Sequence, residues 1–166
     1  MKLLDLIENE SQYKIYCDMD GVICDFEKQF IKYFGMHPHA YEAEYGKPKF
    51  WKGIDEAGVR FWAGMPWMPE GQKLWSYIEK YNPTLLTAPS MDDSSRIGKA
   101  VWRKKHIPGV PMKFKAAKNK ADFAAPNTIL IDDREDTIAD WNSRGGIGIL
   151  FKSTDQVINE LKELGL

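Results

Sequence analysis

The stretch YKIYCDMDGVICD, residues 13–25, decides the fold class of this 166-residue chain. Residues 13–18 have the apolar character of a buried β-strand, and the strand ends on Asp18. Asp20 and Gly21 follow, and both residue types are typical of turns. The pattern predicts a buried strand that delivers two carboxylates, two residues apart, to a sharp turn. Asp-Gly turns are common without any function, so this stretch alone does not distinguish a site from a plain turn.

A second buried strand with an acidic end lies near the carboxyl terminus. Residues 128–132, TILID, are apolar up to Asp132, and Asp133 follows directly. Carboxylates that share a cleft repel one another, so their ionised forms need a compensating cation. Carboxylate oxygens without His or Cys partners suit Mg²⁺ rather than zinc. The two acidic strand ends together therefore predict a Mg²⁺ site.

Short apolar segments alternate with helical patterns along the chain, which indicates a parallel sheet covered by helices on both faces. The predicted strands are residues 13–18, 84–87, 110–114, 128–132 and 146–151, and the predicted helical segments are residues 3–10, 25–34, 71–81, 94–105, 118–123, 136–143 and 154–164. We therefore predict a three-layer, Rossmann-like α/β fold with about five strands. In such folds ligands bind outside the carboxyl ends of the strands.

The strand PTLLT, residues 83–87, adds a hydroxyl to this predicted edge. Mg²⁺ held by carboxylates usually also holds a phosphate, and phosphoryl transfer needs donors for the phosphate oxygens and a cation for the developing charge. Thr87 supplies the hydroxyl, and Lys118 or Lys120 supplies the cation. Singly, each is better explained as a turn or surface residue. Their order between the two acidic strand ends favours a phosphoryl-transfer site.

The order of these motifs, DMDGV, LLT, a lysine and LIDD, resembles the haloacid dehalogenase superfamily of phosphohydrolases. More narrowly, CDMDGVICDF, FWAGMP and ILIDDRED are similar to the 5′(3′)-deoxyribonucleotidase branch and its bacterial and phage relatives. The motifs span residues 14–151. The resemblance implies a Mg²⁺-dependent phosphatase that hydrolyses (deoxy)nucleoside monophosphates.

The resemblance also implies a role for each acidic residue. Asp18 would be the nucleophile that forms an aspartyl-phosphate. Asp20 would protonate the leaving hydroxyl and then deprotonate the attacking water. Mg²⁺ would be held by Asp18, by the main-chain carbonyl of Asp20 and by Asp133, with Asp132 as a supporting ligand.

By the same resemblance, Thr87 and Ala88 would bind the phosphoryl oxygens. A lysine of the segment KFKAAKNKADF would neutralise the charge on the nucleophile and the phosphate, and we predict Lys120, with Lys118 as the next candidate.

Residues 36–66 break the alternation and are rich in aromatic residues. The superfamily often carries a small helical cap here, so we predict an α/β core of residues 1–35 and 67–166 with a cap of residues 36–66. Most of these rings are expected to form the insertion's own core. Phe26, Phe61 and Trp62 are expected, by the resemblance, to contact a base, because flat rings stack on nucleobases.

Nine of the 23 basic residues lie between positions 96 and 120, although the net charge is only −1. A solvated helix face is the favoured interpretation of this run, and a field that attracts an anionic substrate or nucleic acid is the alternative. The predicted partner is a small, nucleotide-like phosphate ester. A phosphatase that acts on nucleic-acid ends and a non-catalytic module phosphorylated on Asp18 remain the two alternatives.

The remaining composition is that of an ordinary globular domain, with 43% hydrophobic and 28% charged residues. No apolar run is long enough for a transmembrane helix, and the first ten residues do not resemble a secretory signal. Two cysteines that flank a short acidic segment favour a reducing compartment over a disulfide scaffold. We therefore expect a cytoplasmic protein without a membrane partner.

Overall fold

A five-stranded parallel sheet forms the centre of the computed structural model, which describes residues 12–166. The strands are β1 (Lys14–Cys17), β2 (Thr84–Thr87), β3 (Met112–Phe114), β4 (Thr128–Asp132) and β5 (Ile147–Leu150). Their order in the sheet is β3-β2-β1-β4-β5, and every neighbouring pair is parallel. The predicted α/β class and the five predicted strands are confirmed.

Eight α-helices and two 3₁₀ helices surround this sheet within residues 12–166. The α-helices are α1 (Phe26–Phe34), α2 (Pro38–Tyr45), α3 (Lys47–Ala57), α4 (Val59–Ala63), α5 (Gly71–Ile78), α6 (Asp93–His106), α7 (Glu135–Ser143) and α8 (Thr154–Glu163), and the 3₁₀ helices are Glu79–Tyr81 and Ala117–Phe123. The helix predicted for residues 3–10 lies outside the described residues. None of the helices in the described range is long and apolar enough to cross a membrane.

The sheet separates two apolar layers because successive strand residues point to opposite faces. Ile15 and Cys17 of β1 pack on one face with Leu74 of α5 and Leu161 of α8. Tyr16 packs on the other face with side chains of α7 and the 3₁₀ helix Ala117–Phe123. The sheet is thus the middle of three layers, which agrees with the predicted architecture.

The central position of β1 brings three polar strand ends side by side. β1 pairs with β2 on one side and with β4 on the other, and Cys17 is in register with Leu85 and with Ile131. The main-chain N–H of Asp18 still donates to the Ile131 carbonyl, over 2.9 Å. Asp18, Thr87 and the acidic pair Asp132-Asp133 at the end of β4 therefore meet at one edge of the sheet.

The aromatic-rich segment forms helices α2, α3 and α4, and α4 packs tightly against α6. A Cβ atom on Gly98 of α6 would lie 2.5 Å from Cβ of Trp62 and 2.8 Å from the Val59 carbonyl. Only glycine permits this close approach. Helix α4 therefore packs directly against α6. The division of the chain into a core and a separate cap stays a prediction.

Candidate active site

The turn after β1 holds its shape through one carbonyl and one glycine. The Met19 carbonyl accepts hydrogen bonds from the main-chain N–H groups of three successive residues, Val22, Ile23 and Cys24. Gly21 has φ +80°, a left-handed conformation that favours glycine. A Cβ atom at this position would lie 2.2 Å from Oδ2 of Asp133. The glycine of the DMDGV motif therefore makes room for a carboxylate from the neighbouring strand.

Three carboxylates gather at this edge of the sheet. Each of Asp18, Asp132 and Asp133 offers an oxygen, and these three oxygens lie within 4.8 Å of one another. Asp132 is completely buried, and its Oδ1 accepts from the main-chain N–H of Arg134 over 3.0 Å. The pKa of both Asp132 and Asp133 is raised. The larger cause is the loss of solvent around the carboxyl groups, and the second is the negative charge of Asp18. A cation in this cluster would relieve that repulsion.

Lys120 is the cation that the protein itself supplies. The Nζ atom of this buried side chain lies 3.0 Å from Oδ1 of Asp18 and 2.8 Å from Oδ2 of Asp132. Burial lowers the pKa of Lys120, but the two carboxylates more than offset it and the pKa is raised. Lys118 is exposed and makes no such contact among the described residues. Of the two predicted lysines, the geometry brings only Lys120 to the acidic cluster.

The donor set fits Mg²⁺. Three carboxylates against one ammonium leave an excess of two negative charges when all are ionised. Mg²⁺ prefers oxygen ligands and binds through one or two carboxylates plus phosphate and water. The residues that would hold it through their side chains are Asp18, Asp132 and Asp133. The Asp20 carboxylate is not part of this cluster, because it turns to a second lysine.

That second lysine, Lys99, belongs to the site although the sequence pattern placed it in a solvated basic run. Lys99 is completely buried on α6, and its Nζ atom donates to Oδ2 of Asp20 (2.9 Å), Oγ1 of Thr87 (2.8 Å) and the Ala88 carbonyl (2.8 Å). The solvated-face interpretation is therefore wrong for Lys99. Trp102 is buried one turn further along the same helix. A helical projection of residues 93–106 carries the signal that could have found Lys99.

Lys99 also links the site to the predicted substrate-contact rings. Its Nζ atom lies 4.9 Å from the centre of the Trp62 ring. Phe26 packs against Phe61 and Trp62, with ring centres 5.5 and 5.8 Å apart. Phe61 and Trp62 are almost fully buried, whereas Phe26 is partly exposed. In this conformation two of the three rings are core residues, and their contact with a base stays a prediction.

No family model and no curated protein match this chain. Solved structures with a similar fold include a predicted phosphatase from Clostridium acetobutylicum, at TM-score 0.57 and 15% identity, covering 94% of this chain and 100% of that one. A hydrolase from Pseudomonas syringae is similar at TM-score 0.55 and 13% identity, over 93% of this chain and 99% of that one. L-2-haloacid dehalogenase from Xanthobacter autotrophicus is similar at TM-score 0.53 and 10% identity, over 90% and 82%. The chain has the α/β fold of these hydrolases, haloacid dehalogenase included.

Proposed function

We propose that this protein is a Mg²⁺-dependent phosphomonoesterase that works through an aspartyl-phosphate on Asp18. The observation that carries the proposal is the position of Lys120, which is buried between Asp18 and Asp132 at the carboxyl edge of the sheet. A carboxylate that attacks an anionic phosphate needs positive charge beside it. Lys120 supplies one such charge, and a metal ion in the acidic cluster would supply more. The fold shared with a hydrolase and with a predicted phosphatase supports the same class of reaction.

The chemistry assigns one step to each carboxylate. Asp18 attacks phosphorus and displaces the ester oxygen, which leaves with a proton from Asp20. Burial raises the pKa of Asp20, which favours the protonated form needed for this step. Asp20 then takes a proton from the water that attacks the aspartyl-phosphate, so that inorganic phosphate is released and Asp18 is restored. Mg²⁺, when bound, supplies charge neutralisation beside the phosphoryl oxygens.

We propose (deoxy)nucleoside monophosphates as the substrates. The motifs similar to deoxyribonucleotidases and the partly exposed Phe26 beside Trp62 support this class. Part of the basic run is not available to a nucleic acid, which supports a small substrate over a nucleic-acid end. Within it Lys99 and Lys120 are buried, and Lys115 pairs with Asp122 at 3.2 Å.

The test is phosphate release by the wild type and by Asp18→Asn, with and without Mg²⁺. The panel contains nucleoside monophosphates, sugar phosphates and phosphorylated oligonucleotides. We expect Mg²⁺-dependent release from mononucleotides that Asp18→Asn abolishes. Release from oligonucleotide ends alone would replace the substrate class, and unchanged turnover by Asp18→Asn would refute the nucleophile. A stable aspartyl-phosphate without turnover would instead support a non-catalytic phospho-acceptor.

A further inference from the structure

We infer that Lys99 is a positioning residue that fixes the carboxyl group of Asp20, the proposed acid, and the side chain of Thr87. This inference deepens the proposed phosphatase function and rests on it. It assigns a separate task to each buried lysine of the site: Lys120 contacts the nucleophile, and Lys99 contacts the acid. The geometry that separates them is direct, because Lys120 bonds to Asp18 and Asp132 whereas Lys99 bonds to Asp20.

Lys99 uses all of its hydrogen-bond donors within the protein. A lysine ammonium has three N–H donors and no acceptor. Its three hydrogen bonds to Asp20, Thr87 and Ala88, all between 2.8 and 2.9 Å, use the complete set. Since Lys99 has no donor left for a substrate, it acts through the residues that it holds. This saturation, together with full burial, distinguishes it from a lysine that binds phosphate directly.

The two carboxyl oxygens of Asp20 differ in their contacts. Oδ2 accepts from Lys99, while Oδ1 is buried and has no hydrogen-bond partner in the part of the chain that the structure describes. The hydrogen bond from Lys99 to Oδ2 therefore fixes the orientation of the Asp20 carboxyl group. Loss of this hydrogen bond should let the carboxyl group rotate away from the leaving oxygen, so that proton transfer by Asp20 becomes slower.

The hydroxyl of Thr87 is held by the same lysine. Oγ1 accepts a hydrogen bond from Lys99, so the hydroxyl's own proton must point elsewhere. The hydrogen bond from Lys99 fixes the side chain of Thr87, the residue expected to bind a phosphoryl oxygen. One buried ammonium thereby holds both the proposed acid and the expected phosphate donor. The seat of α4 on α6 at Gly98, beside Lys99 in the chain, holds the Trp62 ring close to the same ammonium.

The test exploits the difference between two leaving groups. Lys99→Met removes all three donors and keeps most of the side-chain volume. An alkyl phosphate, such as the best nucleoside monophosphate of the panel, needs a proton from Asp20, whereas p-nitrophenolate leaves without one. General acid catalysis contributes typically about 10²–10⁴-fold. We expect kcat/KM to fall at least about 100-fold for the alkyl ester and less than about 10-fold for p-nitrophenyl phosphate.

The comparison has internal controls. Both esters are assayed on one preparation, so the ratio of the two kcat/KM values does not depend on the folded fraction. Lys104→Met, on the exposed side of the same helix, should leave both rates unchanged. In an Asp20→Asn background, Lys99→Met should no longer change the ratio, because the proton carrier is already gone. If Lys99→Met does not fold, Lys99→Gln keeps an amide donor and is measured in its place.

Each outcome decides the inference. A selective loss for the alkyl ester supports the positioning role. Equal losses for both esters, or no loss, overturn that role and leave the proposed phosphatase standing, because the wild type still turns over. A wild type that hydrolyses neither ester overturns the proposed function and the inference with it.

Discussion

Gly21→Ala tests the acidic cluster without removing any polar group. The substitution adds one methyl group at a φ of +80°, where a left-handed backbone costs an L-residue about 1–2 kcal/mol. It also places Cβ 2.2 Å from Oδ2 of Asp133. Real Cβ contacts essentially never fall below 3.0 Å, so the carboxylate must retreat by about 0.8 Å or more. We expect the metal site to lose affinity, because Mg²⁺ demands near-ideal octahedral geometry.

Gly109→Ala is the matched control. Gly109 has φ +82°, and nothing lies within 4 Å of its virtual Cβ, so it carries the same backbone cost without the clash. In urea without metal, Gly109→Ala should lower the free energy of unfolding by about 1–2 kcal/mol. Gly21→Ala should lower it by at least as much. Calorimetric titration with Mg²⁺ should show a dissociation constant at least about tenfold higher for Gly21→Ala alone, or about 1.4 kcal/mol. Equal Mg²⁺ affinity in the two variants would refute the proposed placement of the metal.

Two further predictions concern charge at the same site. Lys120→Met should lower kcat/KM by at least about 100-fold, whereas Lys118→Met, which changes an exposed lysine of the same 3₁₀ helix, should stay near wild type; similar losses would contradict the geometry. Thermal unfolding should show a larger Mg²⁺ stabilisation at pH 8 than at pH 5. Without metal, the pKa of Asp132 is raised to about 6 from an ordinary value of about 3.9, so this group's contribution to stability falls as the pH rises between those values. Mg²⁺ binds the ionised carboxylates and restores that stability above pH 6, so a stabilisation that is larger at pH 5 would be incompatible with this site.

The strand ends were predictable because the apolar residues that mark a buried strand and the acidic residue that ends it are adjacent in the sequence. TILID and KIYCD each combine an apolar run with a terminal acid, and a parallel sheet brings such ends to one edge. The structure places one oxygen of each of Asp18, Asp132 and Asp133 within 4.8 Å of the others. Strand β2, which ends on Thr87, lies directly beside β1 in the sheet. These contacts follow from strand order, which a βαβ pattern largely determines.

The lysines were harder because their placement depends on tertiary packing. Lys99 lies in a run rich in Lys and Arg, and charge patterning alone favours solvent. Its burial follows from the tight seat of α4 at Gly98 and from the acceptors that Asp20, Thr87 and Ala88 provide. Composition does not report such partners. Lys118 and Lys120 lie only two residues apart in the same 3₁₀ helix. Which of them faces the acidic cluster depends on how that helix packs, and the sequence does not show this.

The aromatic residues also show that the sequence does not report tertiary packing, because two rings predicted to contact a base are buried. Rings predicted for substrate contact and rings that fill a core have the same composition. Phe61 has no exposed surface and packs between Phe26 and Tyr33, with ring centres 5.5 and 5.3 Å away. Only the packing of α4 against α1 and α6 distinguishes these two uses of an aromatic side chain.

Trapping the aspartyl-phosphate tests most directly whether Asp18 is the nucleophile. The protein is mixed with Mg²⁺ and its best phosphate ester, quenched in acid within the first turnover, and its peptides are examined by mass spectrometry after reductive trapping of acyl phosphates. We expect the reduced residue at Asp18. With p-nitrophenyl phosphate as the ester, Asp20→Asn should raise the fraction of reduced peptide, because p-nitrophenolate needs no proton from Asp20 whereas breakdown of the intermediate slows. Phosphate release at the full rate without reduction at Asp18 would contradict the nucleophile role of Asp18.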